Sequence, residues 1–153
     1  MNIKCIFYDF DGVMTDNKVI LSENGEESVI VNRSDGLAIS YFKKLDIHQY
    51  IISSEQNPVV TKRANKLNIH VFQGISNKVD KIKDIIKQHK LKIEEVVFIG
   101  NDLNDMDVMN YLDNTFCPLD SHPKILNTAN KVLDRNGGDG VIMCLYNYLG
   151  ESN

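Results

Sequence analysis

The stretch FYDFDGVMTD, residues 7–16, ends an apolar run with two acidic residues and a glycine. The run predicts a buried strand, and Asp9 and Asp11 stand at its carboxyl end, where the chain turns at Gly12. Like charges this close destabilise each other and raise each other's pKa. A purely structural role would leave this repulsion uncompensated. We therefore expect a cation or a reacting group between the two carboxylates.

β-rich runs and helical patterns alternate along the rest of the chain. They predict strands at 47–53, 69–72, 94–100, 114–117 and 131–133, and helices at 34–45, from Asn57, at 77–91, at 102–112, near 122–129 and after 140. Repeated strand–helix units form mostly parallel sheets covered by helices. The predicted fold class is therefore α/β, a Rossmann-like parallel sheet with helices on both faces.

One segment interrupts this alternation. KVILSENGEESVIV contains two short β runs around Asn24-Gly25. This dipeptide is typical of tight hairpin turns in which both central residues have positive φ. We expect a protruding β-hairpin over about residues 18–32.

Length and spacing limit the domain organisation. A chain of 153 residues with 42% hydrophobic and 25% charged residues predicts a single globular domain, residues 1–153, with a sizeable core. Only the hairpin separates Asp11 from the first helix, and one helix and one strand fill the chain from Ser53 to Lys78. This spacing leaves no room for an inserted cap domain.

The net charge and the N-terminal sequence limit the expected partners and the expected compartment. The net charge of -4 gives no general attraction to nucleic acid or to an anionic membrane, and we expect neither as a partner. The N-terminus lacks the zones of a signal peptide, so the expected compartment is the cytoplasm. Cys5, Cys117 and Cys144 have no CxxC spacing, which favours free thiols with roles in the core.

Polar residues follow several predicted strands. Ser53 and Ser54 follow the second core strand, Lys78 follows the third, and GNDLND, residues 100–105, follows EVVFI. In parallel sheets the ligand crevice lies beyond the carboxyl ends of the strands. Each cluster alone is a weak signal, but together with the end of the first strand they predict one site.

These residue types favour phosphoryl transfer. Asp9 would attack phosphorus and form an acyl phosphate. Asp11 would protonate the leaving oxygen and then deprotonate the attacking water. A hard divalent ion, expected to be Mg²⁺, would be bound through Asp9, Asp11 and Asp102, with a backbone carbonyl among its ligands. The ion would offset the repulsion between nucleophile and phosphate.

The other residues of the clusters would complete the phosphate site. Ser53, Ser54 and Lys78 would bind the phosphate oxygens as negative charge moves onto them. Asp105, one turn beyond Asp102, would orient Lys78 or a metal-bound water from behind.

Four short motifs carry a family resemblance. DFDGVMTD, IISS, GISNK and GNDLND resemble, in this order, the four motifs of the haloacid dehalogenase superfamily over nearly the whole chain. The hairpin, NRSDGLAI and NGGDGV are similar to its capless branch, the 2-keto-3-deoxy sugar acid phosphatases. That branch includes 3-deoxy-D-manno-octulosonate 8-phosphate phosphatases, nonulosonate 9-phosphate phosphatases and a domain fused to some acylneuraminate cytidylyltransferases.

The resemblance also implies a homotetramer, in which residues 18–32 pair into a central barrel and a neighbouring subunit partly covers each active site. Isolated hairpins are marginal in water and apolar faces need burial, which supports assembly. The aliphatic residues concerned are Val19, Ile20, Leu21, Val29, Ile30 and Val31. The alternative is that the hairpin folds back on its own domain.

Substrate choice depends on SSEQNPVVTKRANKL, residues 53–67. The octulosonate phosphatases usually have Gly and Arg where this chain has Ser54 and Glu55, whereas Glu55 with Arg63 and Lys66 resembles the nonulosonate branch. Arg63 and Lys66 share a helix face and could bind the substrate carboxylate, while Glu55 would accept hydrogen bonds from sugar hydroxyls or an amine. A nonulosonate 9-phosphate is therefore the expected substrate, and 3-deoxy-D-manno-octulosonate 8-phosphate the alternative. An ordinary solvated helix face is an equally good interpretation of TKRANK.

Two segments depart from the patterns of this branch. NRSDG replaces the common VRDG before the first helix, with Asp35 retained. GND replaces GDD, so the neutral Asn101 is expected to weaken Mg²⁺ binding modestly while Asp102 remains as ligand. In NGGDGV, Gly137 and Gly138 allow close backbone approach, and the resemblance implies that this region closes over substrate.

Two other classes of function remain open. One is a catalytically idle assembly module linked to an acylneuraminate cytidylyltransferase, against which the complete set of site residues argues. The other is a phospho-receiver domain, which also collects acids and a lysine at the strand ends of a parallel sheet. A receiver would carry its phospho-accepting Asp on a middle strand, whereas here the nucleophile candidate ends the first strand. That order favours the phosphatase.

Overall fold

A parallel β-sheet forms the centre of the molecule. The computed structural model describes residues 2–151. Its strands are β1 (Cys5–Tyr8), β2 (Ile20–Leu21), β3 (Glu27–Ser28), β4 (His48–Ile52), β5 (His70–Phe72), β6 (Val96–Ile99), β7 (Asn114–Cys117) and β8 (Lys131–Val132). Six of them form one sheet in the order β5-β4-β1-β6-β7-β8, with parallel neighbours throughout.

Helices cover both faces of this sheet. Within the described residues the α-helices are α1 (Arg33–Lys44), α2 (Pro58–Leu67), α3 (Lys78–His89), α4 (Met106–Tyr111), α5 (Pro123–Thr128) and α6 (Val141–Glu151). Two short 3-10 helices, Ile93–Glu95 and Leu103–Asp105, flank β6. None of the helices described is long and apolar enough to cross a bilayer.

The sheet separates two hydrophobic cores. Ile6 and Tyr8 of β1 pack with side chains of α1, α2 and α6, whereas Cys5 and Phe7 pack with those of α3, α4 and α5. Successive residues of a strand point to opposite faces. Because both faces are covered, β1 is apolar along its whole length instead of alternating. The α/β fold predicted from the sequence is confirmed.

Asparagine side chains begin the first three helices. Asn32, Asn57 and Asn77 each accept a hydrogen bond from a backbone amide in the first turn of α1, α2 and α3. Pro58 follows Asn57 in the first turn, where its missing N–H costs nothing. The cap at Asn77 makes Lys78 the first residue of α3, next to the carboxyl end of the sheet.

The segment between β1 and α1 forms the expected hairpin, in which β2 and β3 pair antiparallel. Its turn is not the predicted two-residue turn, because only Gly25 of the central pair has positive φ, at +84°. The Ser22 amide donates to the Glu26 carbonyl at 3.0 Å, so three residues form the loop. Asn24 contributes through its side chain, which accepts from the Glu26 amide at 3.1 Å.

The hairpin is packed on one side only. Val29 and Val31 contact the core of the domain. Four other aliphatic side chains of the hairpin are between 52% and 69% exposed: Val19, Ile20, Leu21 and Ile30. The hairpin therefore rests on its own domain and still presents an apolar surface to solvent, the exposed hairpin patch.

The three cysteines are free thiols. Cys5 and Cys117 are buried and Cys144 is partly buried. Burial raises the pKa of Cys5 to about 12 and also raises that of Cys117. These two side chains are unreactive parts of the core, as expected.

Candidate active site

The carboxyl end of β1 is the floor of the candidate site. β1 lies between β4 and β6, where the order of connection reverses, and such points form the ligand crevice of parallel sheets. The Asp9 amide donates to the Ile99 carbonyl at 2.9 Å. This bond holds the backbone of Asp9 at the end of the strand, and the residue is only 4% exposed.

A cavity of about 340 Å³ opens above Asp9. Its lining residues follow three strands, β1, β4 and β6: Asp9, Asp11, Asn17, Ser53, Ser54, Glu55, Asn101, Asp102 and Asn104. Four of these nine side chains are carboxylates and none is cationic. An anionic phosphate can therefore bind here only together with a cation.

Lys78 lies beneath the cavity in a buried cluster of charges. Its Nζ donates to Asp9 Oδ1 at 2.8 Å and to Asp105 Oδ1 at 2.7 Å. The side chains of all three are at most 6% exposed. Asp105 Oδ2 accepts from the Asn101 amide at 2.9 Å, so both oxygens of Asp105 are engaged. Asp105 thus holds Lys78 against one oxygen of Asp9, and Asp9 Oδ2 remains on the cavity side.

The pKa values of this cluster follow from burial and pairing. Burial and the Asp105 carboxylate raise the pKa of Asp9, and the Lys78 ammonium opposes that shift. Burial alone would lower the pKa of Lys78, but the two carboxylates raise it above its ordinary value. Lys78 is therefore a permanent cation at neutral pH. Asp9 combines raised basicity with a fixed cationic partner, which suits a carboxylate nucleophile.

Asp11 lies at the cavity rim on the turn after β1. The Thr15 hydroxyl oxygen accepts from the Gly12 amide at 3.2 Å and closes this turn. Burial raises the pKa of Asp11, and the carboxylates of Glu55 and Glu27 raise it further. An acid with a raised pKa keeps its proton to higher pH, which is what protonation of a leaving oxygen requires.

Ser53, Ser54 and Glu55 form one wall of the cavity. Ser53 is buried, and its hydroxyl oxygen accepts from the Glu55 amide at 3.1 Å, which leaves its hydrogen to donate into the cavity. Ser54 Oγ accepts from Asn104 Nδ2 at 2.9 Å. Asn104 was missed by the sequence analysis, where nothing distinguished it from a polar loop residue.

Asn101 also enters the site, although the sequence analysis treated it only as a neutral neighbour of Asp102. One terminal atom of its amide lies 3.1 Å from Asp9 Oδ2 and 2.8 Å from the Asp11 carbonyl oxygen. Hydrogen bonding assigns the nitrogen to this position, from which it donates to both oxygens. The signal in the sequence was its place as the first polar residue after β6.

The oxygens around this point fit a divalent cation. Asp9 Oδ2, the Asp11 carbonyl and the amide oxygen of Asn101 are all hard donors of the kind that Mg²⁺ prefers. Neighbouring corners of an octahedron with Mg–O bonds of about 2.1 Å lie about 3 Å apart. The separations of 3.1 and 2.8 Å at Asn101 match that spacing. These three residues can therefore hold a metal ion of the Mg²⁺ type next to the nucleophile.

Asp102 lines the same cavity at its rim, and its role as a metal ligand stays a prediction. Its Oδ1 accepts from the Leu103 amide at 2.7 Å and caps the following 3-10 helix at the cavity rim. In the described part of the chain no three His, Cys, Asp or Glu side chains are grouped as metal ligands. The side chain within hydrogen-bond distance of Asp9 Oδ2 and of the Asp11 carbonyl is that of Asn101.

Arg63 and Lys66 are not in the cavity above Asp9. They line a separate cavity of about 330 Å³ beside the hairpin, together with Ser28, Val29, Val31, Val59 and Lys62. Arg63 Nη2 donates to the Asn32 carbonyl at 2.9 Å. The two basic residues share a helix face as expected, but one chain does not bring them to Glu55. The contact of Arg63 and Lys66 with a substrate carboxylate stays a prediction.

The NGGDGV loop lies behind the Asp11 turn. Gly138 donates its amide to the Val13 carbonyl at 3.0 Å. A Cβ atom at Gly137 would lie 2.2 Å from the Gly12 carbonyl oxygen, so only glycine allows this approach. The loop supports the turn that carries Asp11, and it is not part of the lining of the cavity in this chain. The expected close approach is present, but toward the turn and not over the substrate site.

Comparison with known sequences agrees with this geometry. A family model described as haloacid dehalogenase-like hydrolase matches residues 16–145. The 3-deoxy-D-manno-octulosonate 8-phosphate phosphatase of Escherichia coli K12 is 32% identical over 142 residues, which cover 92% of this chain and 76% of that protein.

Solved structures give the same result. A HAD family hydrolase from Streptomyces avermitilis MA-4680 is 36% identical with a TM-score of 0.94, covering 99% of this chain and 93% of that one. The cobalt-bound deoxy-D-mannose-octulosonate 8-phosphate phosphatase of Haemophilus influenzae is 28% identical with a TM-score of 0.92, covering 99% and 89%. This chain therefore belongs to the haloacid dehalogenase-like hydrolases and is an enzyme of the phosphomonoesterase type.

Proposed function

We propose that this enzyme is a Mg²⁺-dependent phosphatase that hydrolyses the phosphomonoester of a 2-keto-3-deoxy sugar acid through an aspartyl-phosphate intermediate. The observation that carries the proposal is the environment of Asp9. One of its oxygens is held by the buried Lys78, and the other faces the cavity beside Asn101. Membership of the haloacid dehalogenase-like hydrolases argues against the phospho-receiver alternative.

Asp9 and Asp11 divide the chemistry. An oxygen of Asp9 attacks phosphorus, the bond from phosphorus to the sugar oxygen breaks, and protonated Asp11 gives its proton to that oxygen. Asp11, now a carboxylate, then takes a proton from water. The resulting hydroxide attacks phosphorus, the acyl phosphate bond breaks, and inorganic phosphate leaves Asp9 free.

The surrounding residues bind and neutralise the phosphate. Bound Mg²⁺ would supply the positive charge that this acidic cavity lacks, held by Asp9, the Asp11 carbonyl and Asn101. Lys78 uses two of its three N–H donors on Asp9 and Asp105, which leaves the third for a phosphate oxygen. The Ser53 and Ser54 hydroxyls would donate to the remaining oxygens.

Two sugar acids compete as the substrate. Glu55 lies in the cavity and supports a nonulosonate 9-phosphate, because its carboxylate would accept from hydroxyls or an amine and would repel a misplaced carboxylate. The relatives named as 3-deoxy-D-manno-octulosonate 8-phosphate phosphatases support the octulosonate instead. We propose the nonulosonate as the preferred substrate and the octulosonate as the second candidate.

Either substrate carries a carboxylate as well as a phosphate, and the cavity of one chain has no cationic side chain on its lining. Arg63 and Lys66 lie beside the hairpin, next to Val29 and Val31. We propose a homotetramer assembled through residues 18–32, in which these two basic residues face the cavity of a neighbouring subunit. The exposed hairpin patch supports this assembly.

The test is phosphate release from a panel of phosphorylated sugar acids, with Mg²⁺ and with EDTA. We expect fastest turnover of a nonulosonate 9-phosphate and none in EDTA. The control is Asp9→Asn, which keeps the shape of the side chain and should lower turnover about 10³-fold or more with an unchanged circular dichroism spectrum.

Each other outcome has a definite meaning. Preference for 3-deoxy-D-manno-octulosonate 8-phosphate keeps the mechanism and rejects the argument from Glu55. Full activity of clean Asp9→Asn protein rejects the mechanism. If the native protein is folded but hydrolyses no member of the panel, the result supports the alternative of a catalytically idle assembly module.

A further inference from the structure

The side chain of Asn101 lies at the proposed metal position beside Asp9, and it is a neutral amide instead of a carboxylate. Asn101 is 6% exposed, so its amide has little water to bond with. One terminal atom of that amide lies within hydrogen-bond distance of both Asp9 Oδ2 and the Asp11 carbonyl. These are the same two oxygens that would bind the cation.

The amide has two ends with opposite hydrogen-bonding character. The nitrogen donates two hydrogen bonds and the oxygen accepts two, and a half-turn about the Cβ–Cγ bond exchanges them at nearly the same positions. With the nitrogen toward Asp9, both acceptors are satisfied without a metal ion. With the oxygen toward Asp9, three oxygens converge and require a cation between them.

We propose that Asn101 is a two-state metal ligand, whose amide nitrogen satisfies Asp9 and the Asp11 carbonyl in the metal-free enzyme and whose amide oxygen binds Mg²⁺ in the loaded enzyme. This inference rests on the metal site of the proposed phosphatase. In the metal-free enzyme, Asp9 Oδ2 and the Asp11 carbonyl would each retain a donor.

The arrangement lowers metal affinity in exchange for stability of the metal-free state. Metal binding must break two hydrogen bonds and turn the amide, and the ligand it gains carries no charge. A carboxylate at this position would have no donor for Asp9 Oδ2 or the Asp11 carbonyl. It would repel both without the ion and bind the ion more strongly.

The test compares Asn101→Asp with Asn104→Asp. Both substitutions add one negative charge to the same cavity lining, but Asn104 donates to Ser54 and not to Asp9 or Asp11. Two readouts are used, and neither needs a substrate. They are the melting temperature in EDTA and the dissociation constant for Mg²⁺ measured by calorimetric titration.

We expect Asn101→Asp to melt about 3 °C or more below the native protein in EDTA and to bind Mg²⁺ about tenfold more tightly. Asn104→Asp should change each quantity by less. Equal effects of the two substitutions would mean that cavity charge alone is responsible and would overturn the proposal. An unchanged EDTA melting temperature in Asn101→Asp, or a native protein that binds no Mg²⁺, would overturn it as well.

These two readouts test the two-state metal ligand independently of the proposed substrate. If the sugar acid panel fails while the two metal readouts behave as expected, the two-state ligand stands and the substrate assignment falls. If the panel succeeds and the metal readouts fail, the opposite holds.

Discussion

The proton on Asp11 depends on the charges around it. Burial raises its pKa most, and the Glu55 carboxylate comes next, ahead of Glu27. As the general acid, Asp11 must be protonated when the sugar oxygen leaves, so activity should fall as the pH rises through its pKa. Glu55→Gln removes the larger of the two charge contributions and lowers that pKa. We therefore expect the alkaline limb of the pH profile of kcat/KM to move to lower pH.

The measurement is kcat/KM for the best sugar acid substrate between pH 5 and pH 9, normalised to each variant's own maximum. Normalisation removes any loss of binding caused by the missing carboxylate. Glu23→Gln is the matched control, since Glu23 is exposed in the hairpin turn. Glu55→Gln and Glu23→Gln profiles that coincide would reject Asp11 as the general acid under the influence of Glu55.

The sequence predicted which residues lie at the site. It predicted less well which atoms each of these residues contacts. The position of Lys78 after the third core strand predicted its arrival at the sheet edge, and it contacts Asp9 there. Asn101 and Asp102 are adjacent polar residues after β6, and the sequence does not fix which side chain lies beside Asp9. Charge favoured Asp102, and geometry favours Asn101.

Helix α6 begins at a buried carboxylate from another element. Asp35 lies in the first turn of α1, and its Oδ1 accepts from the amides of Ile142 and Met143 at 2.9 and 3.3 Å. Its Oδ2 is buried with no hydrogen-bond partner among the described residues. Burial raises the pKa of Asp35 to about 6, although those two amides lower it. Asp35 thus joins α1 to α6, which follows the loop behind the Asp11 turn.

This shift gives the stability a definite pH dependence. The folded-state pKa of about 6 lies above the ordinary value of 3.8, so folding favours the protonated acid. The stabilisation is complete below the ordinary pKa and is lost as the pH rises through about 6. Asp35→Asn keeps an acceptor for α6 and cannot ionise. Relative to the native protein, it should gain on the order of 3 kcal/mol of unfolding free energy on going from pH 4 to pH 7.5, since one pKa unit is about 1.4 kcal/mol.

Urea unfolding of both proteins at the two pH values checks this expectation, because the comparison cancels every other titrating group that they share. Asp84→Asn, on the exposed side of α3, is the control and should show no such change. A difference in stability between Asp35→Asn and the native protein that is the same at both pH values would contradict a buried, ionising Asp35.

At the scale of elements, apolar patterning predicted the α-helices and the strands of the six-stranded sheet. The hairpin turn differs from the predicted two-residue turn. Gly25 has positive φ but Asn24 does not, and the Asn24 side chain accepts a hydrogen bond from the Glu26 amide. Contacts between elements that are distant in the sequence could not be predicted from local patterns. Nothing in NRSDG indicates that Asp35 caps a helix that starts more than 100 residues later.

At the scale of the whole molecule, the exposed hairpin patch is an apolar surface that the packing of a single chain leaves uncovered. Ile20 and Ile30 are 63% and 69% exposed, yet Val29 and Val31 anchor the hairpin to the core. Burying such a patch between copies would contribute a favourable free energy of about 25 cal/mol per Å² of apolar surface removed from water. Charged side chains at Ile20 and Ile30 would make that burial unfavourable without touching the anchoring residues.

We therefore expect the native protein to have about four times the 17.4 kDa mass of the chain in light scattering, and the double variant Ile20→Glu, Ile30→Glu to have the mass of one chain. Leu45→Glu is the control, because Leu45 is 62% exposed at the end of α1, outside the hairpin. The separated chain keeps Asp9 and Asp11 but loses the neighbour's Arg63 and Lys66. It should retain hydrolysis of a simple aryl phosphate and lose most activity on sugar acids. A native protein that is monomeric and fully active on sugar acids would reject both the tetramer and the shared site.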